Sequence, residues 1–487
     1  METAISLVPG TAARCGEGAL RVVVAADGLP EHLISDGAHT VLHVPSPAWR
    51  DGDDTRLDSV CEEIHRWSRL MGRSLRTHKW ARSQDTLVDL TLLWDTRVPP
   101  ERALRLAVLG LIDGLGGPTA ATAARVHLTG LPHGLDLEDA RSRALVDARA
   151  TALARDLVDA RASEVTPEVM ASRAVQIAEE CGLSARVWHS GDLSAAGMGG
   201  ILAVGAGSPN PPCLVELEYD PAGADADVQQ PICLIGKGVT FDSGGLSMKS
   251  AAAMVGMHSD KAGAVTVLAA MSALRDLGAS IPVRGYLPLA ENLPGPGATR
   301  PGDIITMLDG TRVEVVDTDF EGRVLMADAL ALAAGAPTRA SRQTVDPATL
   351  AAAVIDVATL TYQAVTALGP EIGALIARDD TLGQRVLEAA KRAGEPLWPL
   401  PWAPRYRDQT RSRGPGASLR NHPGTDTGRA LTAALFLGAF VPPTVPWAHL
   451  DIAGPAMSGA GPDARATGYG VRTLIDLLEN WPAANPG

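Results

Sequence analysis

The run VVDTDFEGRVLMADAL, residues 315–330, places the carboxylates of Asp317, Asp319 and Glu321 between an apolar segment predicted to be a strand (VEVV, 313–316) and a helix-like segment. Like charges in one confined site repel each other, so one such group usually takes up a proton. The cluster stays ionised when cations lie among its oxygens. This feature constrains the fold strongly, because a buried strand and a buried helix must meet where that charge is tolerated.

Within this run, Asp319 and Glu321 stand two positions apart. In an extended segment alternate side chains face the same way, so both carboxylates can reach one point. Gly322 allows a tight turn, and Arg323 opens the helix. The alternative for this stretch alone is an acidic turn that caps a helix.

A second group of polar residues lies in GKGVTFDSGGLSMK, residues 236–249. Lys237 ends an apolar strand, where a charged lysine is costly, whereas a neutral amine can ligate a metal. Asp242 precedes a Ser-Gly-Gly turn that lets the backbone approach a ligand, and Lys249 follows it. The alternative is that Lys237 extends its ammonium to solvent while Asp242 caps a turn.

The third segment is GMHSDKAGAVTVL, residues 256–268. In it Asp260 precedes a helix-like run, and a helix N-terminus supports an ionised carboxylate. Simple helix capping is the alternative for this residue. Together the three segments supply four carboxylates and a lysine, at strand ends or helix starts where α/β proteins bind ligands. No histidine is among them, and His258 and His449 are only near candidates. Oxygen-rich sites suit Mn, Mg or Zn, and two ions about 3.5–4 Å apart form a clamp for hydrolysis.

The length of 487 residues favours two domains, and the chain alternates strand-like and helix-like runs. We predict a smaller N-terminal α/β domain with a connecting helix over 1–160. Residues 161–487 are predicted to form a larger C-terminal α/β catalytic domain with a central mixed sheet flanked by helices. Its first helix has Thr166 as N-cap and Pro167 at the first helical position.

Composition argues against several classes of protein. A net charge of −13 disfavours a nucleic-acid or anionic-membrane partner. The five scattered cysteines indicate neither a disulfide framework nor a thiolate zinc site, and favour a cytoplasmic location. The N-terminal residues do not have the pattern of a signal peptide. The uncharged stretch 430–450 contains three prolines, so we expect a core helix, a loop and a strand there, not a membrane span.

These segments resemble those of the leucyl aminopeptidase family, the cytosolic dinuclear metallo-aminopeptidases. The resemblance covers roughly residues 155–480, whereas residues 1–150 are similar only in general pattern. The motifs that carry it, in the family's order and spacing, are GKGVTFDSGG (236–245), ENLPGPGATRPGD (291–303), DTDFEGR (317–323), DVATLT (356–361) and WAHLDIAG (447–454).

The resemblance implies two divalent ions, manganese or zinc, held by Lys237, Asp242, Asp260, Asp319 and Glu321. Asp242 and Glu321 would bridge the ions. Lys237 and Asp260 would complete the shell of one ion, and Asp319 that of the other.

The same resemblance implies catalytic roles for Lys249 and Arg323. Lys249 would polarise the scissile carbonyl and stabilise the oxyanion. Arg323 would hold a bicarbonate that acts as general base toward the metal-bridging water. The expected activity is metal-dependent release of N-terminal residues from peptides or aminoacyl amides.

Departures from the family pattern bear on specificity. The family usually has asparagine at Asp317, alanine at Phe320 and methionine at Lys261, and we predict that the added charges of Asp317 and Lys261 pair with each other. Tyr362 replaces a glycine of the pocket for the substrate's first side chain, and we predict that its ring intrudes there. The predicted pocket residues are Met257, Thr359, Leu360, Tyr362, Ala453 and Ala456. Leucine should then not be the preferred first residue, a change in discrimination of about 1–3 kcal/mol.

Two other functions stay open at this stage. The first is a hydrolase of the same fold dedicated to a specialised peptide or amide, and the second is a non-catalytic structural or DNA-binding paralogue. The intact ligand set and the negative charge count against the latter. The resemblance also implies a homo-hexamer of two stacked trimers.

Overall fold

A computed structural model gives the architecture, most completely from residue 136 onward. It describes residues 5–7, 20–25, 32–35, 40–45, parts of 60–73, 86–89, 98–115, 126–129, 136–221, 230–339, 351–459 and 464–482. Contacts within the chain define two compact units, 1–152 with 390–396 and 153–389 with 397–487. The boundary between the units falls inside a helix, and the predicted domain boundary after residue 160 stays a prediction.

The described α-helices are α1 Pro100–Leu115, α2 Leu137–Asp159, α3 Pro167–Cys181, α4 Ser190–Ala196, α5 Gly199–Gly205, α6 Ala251–Met254, α7 Ala262–Ser272, α8 Leu274–Leu277, α9 Glu321–Ala333, α10 Tyr362–Leu368, α11 Asp380–Ala393, α12 Arg429–Leu437 and α13 Val471–Glu479. Short 3-10 helices cover Met257–Lys261, Pro404–Gln409 and Gly438–Phe440.

The described strands are β1 Ile5–Leu7, β2 Leu20–Ala25, β3 His32–Ser35, β4 Thr40–Pro45, β5 Thr86–Asp89, β6 Val126–Thr129, β7 Ser184–Trp188, β8 Cys213–Tyr219, β9 Ile232–Gly236, β10 Gly238–Asp242, β11 Val283–Asn292, β12 Ile304–Thr306, β13 Arg312–Glu314, β14 Ala353–Ala358, β15 Gly373–Ala377, β16 Leu397–Pro399, β17 Leu419–Arg420, β18 Trp447–Asp451, β19 Met457–Ser458 and β20 Arg465–Ala466.

The first unit is built around a six-stranded sheet in the order β1-β6-β5-β2-β4-β3, in which β3 runs antiparallel to β4. Helix α1 buries Leu104 and Leu109 completely, as its apolar face predicts. Arg105 on the same helix makes a buried ion pair with Asp147 at 2.6 Å between Nε and Oδ2. This pairing removes the cost of burying the guanidinium alone.

The second unit contains a nine-stranded mixed sheet with the order β16-β15-β18-β14-β9-β11-β8-β7, and β10 also pairs with β11. Strands β18, β14, β9 and β11 are mutually parallel, whereas β8 and β15 join them antiparallel. Helices α7 and α9 are buried along almost their whole length, as expected for helices that pack on a parallel sheet. The predicted α/β fold with a mixed sheet flanked by helices is confirmed.

Several local predictions are also confirmed. Thr166 caps α3 by accepting a hydrogen bond from the Val169 backbone N–H, and Pro167 is the first residue of that helix. The stretch 430–450 forms most of α12, a loop and β18. Among the residues described, no helix combines the length and apolarity needed to cross a bilayer.

Two predictions around the acidic run are wrong. The strand predicted at 313–316 is the shorter β13, which lies in a separate three-stranded sheet with β12 and β17. Glu321 is the first residue of α9 and not part of an extended segment. Its carboxylate therefore approaches that of Asp319 because a turn leads directly into a helix, and not because alternate side chains of a strand share a face.

Candidate metal and substrate site

The predicted site residues come together at the carboxyl ends of neighbouring strands. Lys237 follows β9 directly, and Asp242 is the last residue of β10. They border a cavity of about 390 Å³. All thirteen predicted site residues line it: Lys237, Asp242, Lys249, Met257, Asp260, Asp319, Glu321, Arg323, Thr359, Leu360, Tyr362, Ala453 and Ala456. This is where ligands bind in α/β sheets.

Lys237 lies between two buried carboxylates. Its Nζ is 2.8 Å from Oδ1 of Asp260 and 2.9 Å from Oε1 of Glu321, and it donates a further hydrogen bond of 3.2 Å to the Thr359 carbonyl. Burial lowers the pKa of Lys237, but the surrounding carboxylates outweigh burial and raise the pKa above its ordinary value. The alternative in which this ammonium extends to solvent is wrong.

Gly322 makes the position of Lys237 possible. A Cβ at residue 322 would lie 2.5 Å from Cε and 2.7 Å from Nζ of Lys237, closer than real Cβ atoms come to other atoms. Glycine therefore allows the lysine to pack closely against the first turn of α9, and a larger residue would displace the end of the Lys237 side chain.

A second lysine lies on the other side of the acidic cluster. Lys249 Nζ is 2.8 Å from Oδ2 of Asp242 and also contacts Oδ1 of Asp319. Two further hydrogen bonds orient the Asp242 carboxylate. Its Oδ1 accepts them from the Gly244 backbone N–H at 2.9 Å and from Asn292 Nδ2 at 2.8 Å. Gly244 has φ 85°, which is favourable only for glycine in this turn.

The carboxylates of Asp242, Asp319 and Glu321 offer oxygens that lie within 4.8 Å of one another. Burial, with repulsion from Asp242, raises the pKa of Glu321 to about 8. The same two causes raise the pKa of Asp319. Burial also raises the pKa of Asp260 to about 6, against the opposing charge of Lys237. The predicted crowding of negative charge is thus present in the fold.

The site has unused ligand atoms. Oδ2 of Asp260 and Oε2 of Glu321 are buried and have no hydrogen-bond partner among the described residues. Buried acceptors are normally satisfied, so two such oxygens beside a carboxylate cluster fit hard divalent cations. The four carboxylates therefore fit the predicted metal pair, and Lys237 would join them as a ligand on losing its proton. These ligand assignments remain proposals.

Arg323 is a buried cation on the first turn of α9. Only 3 % of it is exposed, and its Nε has no hydrogen-bond partner among the described residues. Burial lowers the pKa of this guanidinium to about 10. Its Cζ lies 4.7 Å from the centre of the Phe320 ring. A buried guanidinium bordering a cavity with a free donor is suited to an anionic ligand.

One expectation about the departures from the family pattern is wrong and another stays open. Lys261 does not pair with Asp317; its Nζ donates to the backbone carbonyls of Val158, Ala160 and His258 at 3.0, 2.9 and 2.6 Å. Tyr362 lines the cavity and is 77 % exposed, so much of its side chain is open to solvent at the rim, and its predicted effect on the pocket stays a prediction.

The sequence did not reveal every residue that supports or lines the site. Asn292, which orients Asp242, lies in the motif ENLPGPGATRPGD (291–303). Its place in that motif is the only sequence feature that pointed to it. Thr359 was assigned to the pocket, yet its Oγ1 donates to Oδ1 of Asp260 at 2.8 Å. Arg429 lines the cavity, and no motif pointed to it. His449 bonds Asp356 through Nδ1, and neither it nor His258 borders the cavity.

The fold and the site together define a class: an α/β protein whose sheet presents a buried lysine and carboxylate cluster suited to divalent cations. The catalytic-domain profile of the cytosol aminopeptidase family matches residues 152–475. The chain belongs to this family.

Curated relatives support this membership. A probable cytosol aminopeptidase of Roseiflexus castenholzii is 46 % identical over 293 residues, which cover 59 % of this chain and 56 % of the relative. One of Streptomyces coelicolor is 43 % identical over 306 residues, covering 62 % of this chain and 55 % of the relative. The chain thus matches little more than half the length of these relatives.

Solved structures match over nearly the whole chain. The bottromycin maturation enzyme BotP in complex with Mn has a TM-score of 0.79 at 36 % identity, covering 95 % of this chain and 99 % of that one. A mutant of tomato leucine aminopeptidase has a TM-score of 0.81 at 26 % identity, covering 98 % of this chain and 96 % of that one.

Proposed function

We propose that the protein is a metal-dependent aminopeptidase that releases N-terminal residues from peptides or aminoacyl amides. The observation that carries this proposal is the convergence of all five predicted ligands, with Lys249 and Arg323, on one cavity. Lys237, Asp242, Asp260, Asp319 and Glu321 would hold two divalent cations, manganese or zinc. Such ions supply Lewis acidity and an activated water in hydrolytic sites.

The chain's own residues would prepare the substrate for attack. Lys249, with Nζ beside Asp242 and Asp319, is placed to donate a hydrogen bond to the scissile carbonyl oxygen and to stabilise the charge that develops there. Arg323 would hold a bicarbonate, the group that would supply general-base capacity. Its buried Nε, without a partner among the described residues, supports an anion at this place.

The proposal is tested by removing metals with a chelator, adding back Mn²⁺ or Zn²⁺, and measuring hydrolysis rates on a panel of aminoacyl amides and dipeptides. We expect metal-dependent release of the first residue. Lys249→Gln should lower kcat about 10²–10³-fold, as loss of an oxyanion donor does, while calorimetry still detects metal binding. No hydrolysis of any panel member by protein with two bound ions would contradict the proposal.

Specificity is proposed to differ from that of a leucine-preferring enzyme. Tyr362 at the cavity rim adds a large polar ring to the mouth of the predicted pocket for the first side chain. Leucine should therefore rank low in the panel, and Tyr362→Gly should change the ranking. An unchanged ranking in this variant would refute a role for Tyr362.

A second candidate is a hydrolase of the same site dedicated to one specialised peptide. The structural likeness to a bottromycin maturation enzyme favours this possibility. Weak activity on ordinary peptides, with strong activity on one modified or longer peptide, would distinguish it. A cytoplasmic location, a homo-hexamer and a catalytic domain over 161–487 are further proposals that follow from the family, and a sizing column tests the hexamer.

A further inference from the structure

One part of the cavity wall has no role in the proposed hydrolysis. It is formed by Phe320, which precedes α9, and Arg429, the first residue of α12. The Phe320 ring lies 4.7 Å from Cζ of Arg323 and 5.2 Å from Cζ of Arg429, so one ring contacts two guanidinium groups. His422 meets the same ring edge to face, with centroids 4.5 Å apart.

These contacts hold Arg429 in place. Its Nε donates to the Thr425 carbonyl at 3.0 Å, and Nη2 contacts Asp426 and lies 3.2 Å from Nε2 of His422. These hydrogen bonds use Nε and Nη2, which leaves Nη1 without a hydrogen-bond partner among the described residues. A guanidinium fixed by a carbonyl and an aromatic ring, with a donor left over, is suited to bind a carboxylate.

The nearby acid does not neutralise Arg429 effectively. The Asp426 side chain is 91 % exposed, whereas that of Arg429 is 20 % exposed. Ion pairs with solvent-exposed carboxylates contribute little, because water competes for both charges. The cation at the cavity wall therefore remains available to a ligand that brings its own carboxylate.

We propose that Arg429 binds a carboxylate on the leaving part of the substrate, beyond the scissile bond. The inference rests on the proposed aminopeptidase function. Arg429 and Phe320 come from other segments than the residues predicted for the first-residue pocket, which are Met257, Thr359, Leu360, Tyr362, Ala453 and Ala456. The carboxylate can be the side chain of an acidic second residue or the free C-terminus of a dipeptide.

Isosteric peptide pairs separate these two sources. Ala-Asp-amide against Ala-Asn-amide tests the side chain, and Ala-Asn against Ala-Asn-amide tests the free C-terminus. Asp-Asn-amide against Asn-Asn-amide tests the first residue instead. For metal-loaded enzyme we expect kcat/KM about tenfold higher for the acidic member of the first or second pair, as one hydrogen-bonded charge pair provides, and no such gain in the third pair.

Variants assign the effect to Arg429. Arg429→Gln should remove the preference, and Arg429→Glu should reverse it toward a basic second residue. Asp426→Asn, which removes the competing acid, should strengthen the preference about twofold, on the scale of an exposed pair. Arg411→Gln is the matched control, because Arg411 also pairs with an aspartate three residues earlier but does not border the cavity.

The outcomes distinguish the two proposals. Hydrolysis of all peptides with equal kcat/KM within each pair, or a preference that survives Arg429→Gln, overturns the role of Arg429 and leaves the aminopeptidase function standing. A preference confined to the third pair overturns the assignment to the leaving part. If no peptide is cleaved, the proposed function fails, and calorimetric binding of intact Ala-Asp-amide and Ala-Asn-amide decides the carboxylate site separately.

Discussion

Replacing Gly322 by alanine tests whether the lysine between the carboxylates is fixed by close packing. The added Cβ would lie 2.5 Å from Cε of Lys237, whereas carbon atoms in contact are about 3.5–4.0 Å apart. The side chain of Lys237 would have to move by about 1 Å, since its surroundings are buried. Its Nζ distances of 2.8 and 2.9 Å to Asp260 and Glu321 would then exceed hydrogen-bonding range.

Two opposing effects set the sign of the change in stability. Hydrogen bonds between charged groups contribute about 1.5–3 kcal/mol each, so weakening both costs about 3–6 kcal/mol before relaxation. Alanine is a better helix former than glycine by about 1 kcal/mol. We therefore expect Gly322→Ala to lower the free energy of unfolding by about 2–4 kcal/mol, although helix propensity alone predicts a gain.

Scanning calorimetry of chelator-treated protein measures the effect as a fall in Tm of about 2–4 °C. Gly191→Ala is the matched control, because Gly191 is also the second residue of a helix, α4, and a Cβ there would have no neighbour within 4 Å. An equal or higher Tm for Gly322→Ala, as expected for Gly191→Ala, would refute the packing argument.

Three further predictions concern the support of the site. Lys261→Met should lower Tm, because three backbone carbonyls lose their buried donor. Lys391→Met is the control, and equal Tm values for the two variants would contradict this prediction. Asn292→Ala should weaken Mn²⁺ binding about 10–100-fold in calorimetric titration, because Asp242 loses the amide that orients it. Burial raises the pKa of Asp328 to about 7, far above its unfolded value, so its contribution to stability is full at low pH and is lost as pH rises through 7. The Tm of wild-type protein should therefore fall relative to that of Asp328→Asn between pH 4 and pH 8. Parallel profiles of Tm against pH for the two proteins would disprove the raised pKa of Asp328.

The sequence allowed the acidic centre to be predicted because its chemistry is local. Asp319 and Glu321 are close in the chain, Lys237 directly follows an apolar strand, and Asp242 ends the next strand. A lysine or carboxylate in such a position needs a partner, whichever fold surrounds it. The side chains therefore lie together although the backbone conformation assumed at Glu321 was wrong.

Contacts between distant segments could not be predicted in this way. Lys261 bonds carbonyls about a hundred positions earlier, and Asn292 reaches Asp242 across 50 positions. The orientation of a side chain next to a loop depends on contacts with residues that are distant in the chain. The spacing of residues in the sequence therefore could not predict that Tyr362 lies at the rim of the cavity. Arg429 was missed for the same reason, since its ring partner Phe320 belongs to another element.

The division of the cavity between segments has a consequence for how such a protein diversifies. The acidic centre is drawn from residues 237–260 and 319–323, whereas Tyr362, Arg429 and Ala456 come from later loops and helix starts. Substitutions in the second set leave the side chains around Lys237 untouched. Selection, or a designer, can therefore exchange the rim one residue at a time while the acidic centre is inherited unchanged.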